Sequence, residues 1–162
     1  MNKKITAIAL LFPIIALMSL TAYKKIKIET GSKIILKIEG YDPRDLLSGH
    51  YITFRVKYNA KNICKKLEYN RARKAYICLD SNQYFSYDKP AQCHSYIEGT
   101  CKGSRFKAGL NRFYIPQEHA HKLDKLVRNK NASIEVSVAN GKALITDLLI
   151  NDRSWKSHLN ID

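Results

Sequence analysis

The sequence predicts a mainly β, α+β protein: a compact antiparallel β domain with one packed helix, behind a single N-terminal transmembrane helix. Three observations carry this reading. An apolar run from Ile5 to Ala22 follows Lys3 and Lys4. Two segments, Ser32 to Glu39 and His50 to Tyr58, alternate apolar and polar residues with the period of two of a half-buried strand. Near the C-terminus, Asn140-Gly141 supplies the two positive-φ positions of a type I′ turn between two further apolar runs.

The first element is the apolar run. Its length is about 18 residues, or about 27 Å as a helix, between a long signal-peptide core and a short membrane span. Cleavage needs small residues one and three positions before the cut, and a cut after Ala22 places Leu20 at the outer position, so retention as an anchor is favoured over removal as a signal peptide. Leu20-Thr21-Ala22 resembles the start of a lipoprotein signal, but Tyr23 follows it and offers no thiol to acylate. Lys24, Lys25 and Lys27 flank the far end about as heavily as Lys3 and Lys4 flank the near one. The signal-like pattern and the cysteines place the N-terminus inside. Residues 1–23 are thus expected to form the anchor or signal peptide, and residues 24–162 an exported domain on the outer, periplasmic side of the cytoplasmic membrane.

In the first strand Ile34, Leu36 and Ile38 share one parity, and Lys33, Ile35 and Lys37 the other. In the second, Ile52, Phe54, Val56 and Tyr58 alternate with Tyr51, Thr53, Arg55 and Lys57, giving one buried and one wet face. A helix is expected from about Pro116 to Asn129, where proline suits the first helical turn and Ala120, Leu123, Leu126 and Val127 form an apolar stripe. The last hairpin pairs Ile134, Val136 and Val138, alternating with Ser133, Glu135 and Ser137, with the run from Ala143 to Ile150.

All four cysteines, Cys64, Cys78, Cys93 and Cys101, fall in the exported part, and an even number in an oxidising compartment predicts two disulfides. Structural zinc sites pair their ligands at much shorter spacings, so no metal is expected. Four cysteines allow three pairings. The short closures Cys64–Cys78 and Cys93–Cys101 are the favoured set. No Pro/Gly/Ser-rich linker or repeat divides the exported chain, which predicts one domain. Without Lys3 and Lys4 it holds 26 basic against 14 acidic residues, a formal charge of +12. Many exported bacterial domains are this basic with no specific ligand. The sharper expectation is contact with the membrane through anionic lipid, with cell-wall polymer, or with an acidic partner. Export and the lack of a recognisable binding motif exclude nucleic acid.

Between the first two strands lies Gly40-Tyr41-Asp42-Pro43-Arg44-Asp45-Leu46-Leu47-Ser48-Gly49-His50-Tyr51. Pro43 fixes φ, Asp42 can accept from the backbone ahead of it, and Gly49 frees the chain to enter a strand. Asp42 through Val56 resembles the signature of the bacterial GDYXXLXY proteins, in which Asp-Pro-Arg-x-Leu-x-x-Gly leads into Gly-Asp-Tyr-x-x-Leu-x-Tyr. Gly49 and Tyr51 agree, while His50 stands for Asp, Phe54 for Leu and Val56 for the last Tyr. Arg112-Phe113-Tyr114-Ile115-Pro116 is similar to the family's Arg-Tyr-Phe-Val-Pro-Glu segment, and Gly141 through Ile150 with Trp155 to its terminal hairpin. The cysteine-bearing region is the least matched. The resemblance implies a membrane-anchored bacterial protein beside a polytopic membrane partner, and it implies no activity.

Catalytic alternatives have thin support. Ser48 and Ser104 have lysines nearby, but the Ser-x-Met-x-Pro segment of signal peptidases is missing. Among His50, His94, His119, His121 and His158, the pair at 119 and 121 points to different faces of the expected helix and suits no metal. Asp42, Arg44 and Asp45 around a proline fit a locally paired turn better than a catalytic cluster. The reading is therefore a non-catalytic accessory or binding domain without a cofactor. Its contact surface is expected at Asp42, Arg44, Asp45, Gly49, His50 and Tyr51, and a cell-envelope hydrolase or peptidase is the alternative.

Overall fold

A computed structural model describes residues 3–39, 51–64, 71–119, 122–123, 126–127 and 131–159. The first element, α1, spans Lys3–Glu29 and so continues beyond Tyr23. Its stretch Ala9–Ile26 is long and apolar enough to cross a membrane, and none of it is buried against the domain. Its polar side chains are compatible with that role. Ser19 donates to the Ile15 carbonyl at 2.8 Å and Thr21 to that of Met18 at 2.8 Å, so neither hydroxyl is left unbonded where water is absent.

Only Thr30 and Gly31 separate α1 from β1 (Ser32–Glu39). The remaining strands are β2 (Tyr51–Thr53), β3 (Arg55–Val56), β4 (Ala72–Cys78), β5 (Tyr84–Ser86), β6 (Tyr96–Lys102), β7 (Arg105–Lys107), β8 (Arg112–Tyr114), β9 (Ala132–Ala139), β10 (Lys142–Ile150) and β11 (Arg153–Ser154). They form a five-stranded sheet ordered β11-β10-β9-β1-β3, a four-stranded sheet ordered β5-β4-β6-β7, and the pair β2-β8. Every pairing of these strands is antiparallel. The class is mainly β, as the alternation predicts.

The terminal hairpin forms about Asn140 and Gly141, whose φ values of 51° and 78° are those of the expected turn. The turn ties the two larger sheets together, since the Glu98 N–H donates to the Gly141 carbonyl at 2.7 Å. Leu36, Ile77, Ile97, Ile134, Leu148 and Trp155 are buried in the core between them. The expected helix from Pro116 begins instead as a 3-10 turn at Gln117–His119, and residues 122–123 and 126–127 are helical. Leu123 is fully buried, so that part of the stripe packs as expected, while Ala120 lies outside the described residues.

Two disulfides close, with a pairing other than the favoured one: Cys64–Cys101 and Cys78–Cys93, with Cα separations of 5.4 and 5.9 Å. The β4–β6 ladder explains why. Cys101 lies opposite Arg73 at the start of β4, whereas Cys78 ends β4 opposite Tyr96. Five residues of strand, about 17 Å, separate these ends, so Cys101 meets Cys64 at one and Cys78 meets Cys93 at the other.

The seam between α1 and the β domain is a set of specific contacts. The last carbonyls of a helix have no partner within it, and the Ser137 hydroxyl, on a residue only 2% exposed, donates to the Ile28 carbonyl at 2.8 Å. Gly31 fits against the same place. A Cβ there would stand 2.1 Å from the Ser137 Oγ and 3.1 Å from the Val138 nitrogen.

Candidate functional site

Strand β2 starts at Tyr51, the one expected contact residue that is described; Asp42, Arg44, Asp45, Gly49 and His50 lie outside the described residues. The Tyr51 ring meets that of Tyr114 edge-on at 6.0 Å, and the Arg112 guanidinium sits 4.9 Å from its centroid. Tyr114 is 70% exposed, so this cluster forms part of the surface. Both residues belong to the Arg112-Phe113-Tyr114 segment that resembles the family pattern. The β2–β8 register therefore brings two distant parts of that pattern together.

Just past Tyr51 the chain changes partners. Residues 51–53 pair with β8, and the Phe54 N–H still donates to the Asn111 carbonyl at 3.1 Å. The Lys57 N–H instead donates to the Lys37 carbonyl of β1 at 2.8 Å. On the other arm, the chain preceding β8 leads back to β7, which pairs with β6. The two strands are zipped at β2–β8 and splay apart beyond Phe54 into different sheets, which is why the expected single strand from His50 to Tyr58 is divided. Between the arms lies a cleft of about 640 Å³.

Its floor is aromatic. The Tyr58 and Phe106 rings meet edge-on with centroids 5.6 Å apart. Phe106 can lie so close because the residue beneath it is Gly99, where a Cβ would come 2.5 Å from the ring. Burial pushes the Tyr58 phenol well above its ordinary pKa. The Oγ1 of Thr53 at the apex is buried without a hydrogen-bond partner among the described residues. The rim is cationic, with Arg55 and Lys57 on one arm and Arg105 and Lys107 on the other, and among the described residues no acidic one lines the cleft. Lys57 pairs with Glu39 outside it. Arg55, Arg105 and Lys107 have no carboxylate partner among the described residues.

Sequence reasoning placed Tyr51 and Arg55 near a surface but missed the second arm. Its signal was present in Arg105-Phe106-Lys107-Ala108, which repeats the basic–apolar alternation of Arg55-Val56-Lys57-Tyr58. Ser104 lies at the cleft's edge and is exposed, with no hydrogen bond to a lysine among the described residues. Cys78, Asp80 and Cys93 bring three potential metal-ligand atoms within 4.8 Å of one another. The two sulfurs, however, are joined as a disulfide and offer no thiolate. Asp80 accepts from the backbone N–H groups of His94 and Ser95 at 2.9 and 3.1 Å. These bonds, that from His94 foremost, hold its carboxyl below the usual range.

A family model described as GDYXXLXY protein matches residues 13–148. No curated protein and no solved structure matches the chain.

Proposed function

The chain belongs to the GDYXXLXY family, and from that premise we propose that it is a membrane-anchored accessory domain that binds a partner at the outer face of the cytoplasmic membrane without catalysing a reaction. The observation that carries this is the seam between α1 and β9. A helix long enough to cross a membrane passes into the β domain through two residues, and its end is fastened by Ser137 and fitted by Gly31. Such an arrangement holds a binding surface at a set place near the bilayer. The two disulfides support an oxidising compartment for the domain. The motif-bearing surface at Tyr51, Arg112 and Tyr114 is exposed aromatic and basic area of the kind that recognition surfaces favour.

The partner is a polytopic membrane protein. Purification of the full chain in a mild neutral detergent, with mass spectrometry of what accompanies it, tests this. One stoichiometric membrane protein is expected, reduced in yield by Tyr51→Ala without a change in melting temperature. A chain that purifies alone from native membranes overturns the reading.

A further inference from the structure

We infer that the fork between β3 and β7 receives an extended, acidic segment of a partner protein, added as a strand; this rests on the accessory-domain reading and gives it a chemistry. Both arms end their sheets, β3 after β1 and β7 after β6, so each has one edge without a strand partner among the described residues. Backbone direction supports this for β3. Successive residues of a strand turn their N–H and C=O groups to opposite edges. The Phe54 N–H points to Asn111 and the Lys57 N–H to Lys37, so the groups of Val56 turn away from β1, toward the cleft. Unpaired strand edges are templates for another strand.

The side chains state which strand fits. On each arm cations alternate with apolar residues: Arg55 and Lys57 are exposed and Tyr58 is largely buried, while Arg105 and Lys107 are exposed and Phe106 is half-buried. A guest strand also alternates. Apolar residues on one of its faces would meet Tyr58 and Phe106, and carboxylates on the other would meet Arg55, Arg105 and Lys107, with Lys57 beside them on its Glu39 partner. The outward-turned backbone groups of Val56 favour a protein segment over lipid head groups, since only a strand pairs with N–H and C=O in sequence.

The test uses the full chain in neutral detergent and a fluorescent peptide of alternating glutamate and valine, read by anisotropy. Saturable binding is expected. An analogue with prolines in place of alternate valines, unable to donate from those positions along the edge, should bind on the order of tenfold more weakly. Arg105→Glu with Lys107→Glu should weaken the glutamate peptide on the order of tenfold and create binding of a lysine–valine peptide. That gain shows that the variant is folded, and Arg55→Glu on the opposite arm should act in the same direction. The inference is overturned if the glutamate peptide does not bind, if polyglutamate or phosphatidylglycerol vesicles compete as well as the peptide itself, or if charge reversal changes nothing. A membrane partner that still accompanies the reversed variant also overturns it and leaves the accessory role standing. If no partner accompanies the wild type, the accessory role fails, and the peptide titration alone decides the fork.

Discussion

Ser137 and Gly31 act together, because one supplies a donor and the other the space for it. Ser137→Ala removes the donor to the Ile28 carbonyl and should lower stability by about 0.5–1.5 kcal/mol. Gly31→Val should do more, since its Cβ would overlap the Ser137 hydroxyl, which must turn away and give up the Ile28 carbonyl, and would crowd the Val138 backbone at 3.1 Å. Thermal melting of the full chain in detergent checks both, and equal melting of Gly31→Val and wild type would show that the seam carries no strain-free fit. Asp80 is the clearest titrating group at this scale. Its folded carboxyl is held lower than an unfolded one, so its contribution is present above the unfolded pKa of about 4 and is lost as pH falls through the lower folded value. The protection factors of the His94 and Ser95 amides, taken against the intrinsic exchange rate at each pH, should therefore fall below about pH 4, and Asp80→Asn should flatten that acid dependence. Protection factors that fall alike in both proteins would exclude Asp80 as the cause.

At the scale of elements, the ladder of β4 with β6 sets the disulfide pairing, and peptide mapping without reduction should recover Cys64–Cys101 and Cys78–Cys93. Loop-closure entropy ranks them. The bridges span 37 and 15 residues, for which opening should cost about 4 and about 3 kcal/mol. A Cys64–Cys78 peptide in natively exported protein would refute the ladder's register. The same region shows what sequence could and could not convey. Strands buried on one face, such as β1, announce themselves by alternation, and β1 begins and ends where Ser32 and Glu39 predict. The hairpin was legible because Asn140-Gly141 encodes its own turn. By contrast, β4 is buried without a break from Ala75 to Cys78. Ala75 and Ile77 share the face that packs on the core clusters, while Tyr76, against Tyr96, and Cys78, bridged to Cys93, are buried on the other, so the period of two disappears. The fork was illegible for a related reason. It exists only because β3 and β7 leave a common ladder for different sheets, and no local pattern records a divergence between segments some fifty residues apart.

For the whole molecule, the decisive property is that α1 and the β domain share a direct junction. Signal-peptide cleavage after Ala22 would cut α1 internally and leave Tyr23 to Glu29 as a short helical stub on β9. That stub is too short to be a stable helix alone, and its exposed Ile26 would face water once the lipid-spanning part was gone. The protein should therefore sediment with membranes at its full length and be released by detergent but not by high salt, because an apolar span, unlike a charge contact, is indifferent to screening. A product beginning near Tyr23 in the soluble fraction would refute retention. Orientation requires its own measurement. Lysines on both sides of the span leave the charge rule nearly balanced, whereas the closed disulfides can form only where the domain meets an oxidising environment. A protease added outside spheroplasts should digest the domain once the bridges are reduced and leave an N-terminal membrane fragment protected. Protection of the domain until the membrane is permeabilised would place it in the cytoplasm, and with it would go the reason for expecting the bridges to persist in the cell.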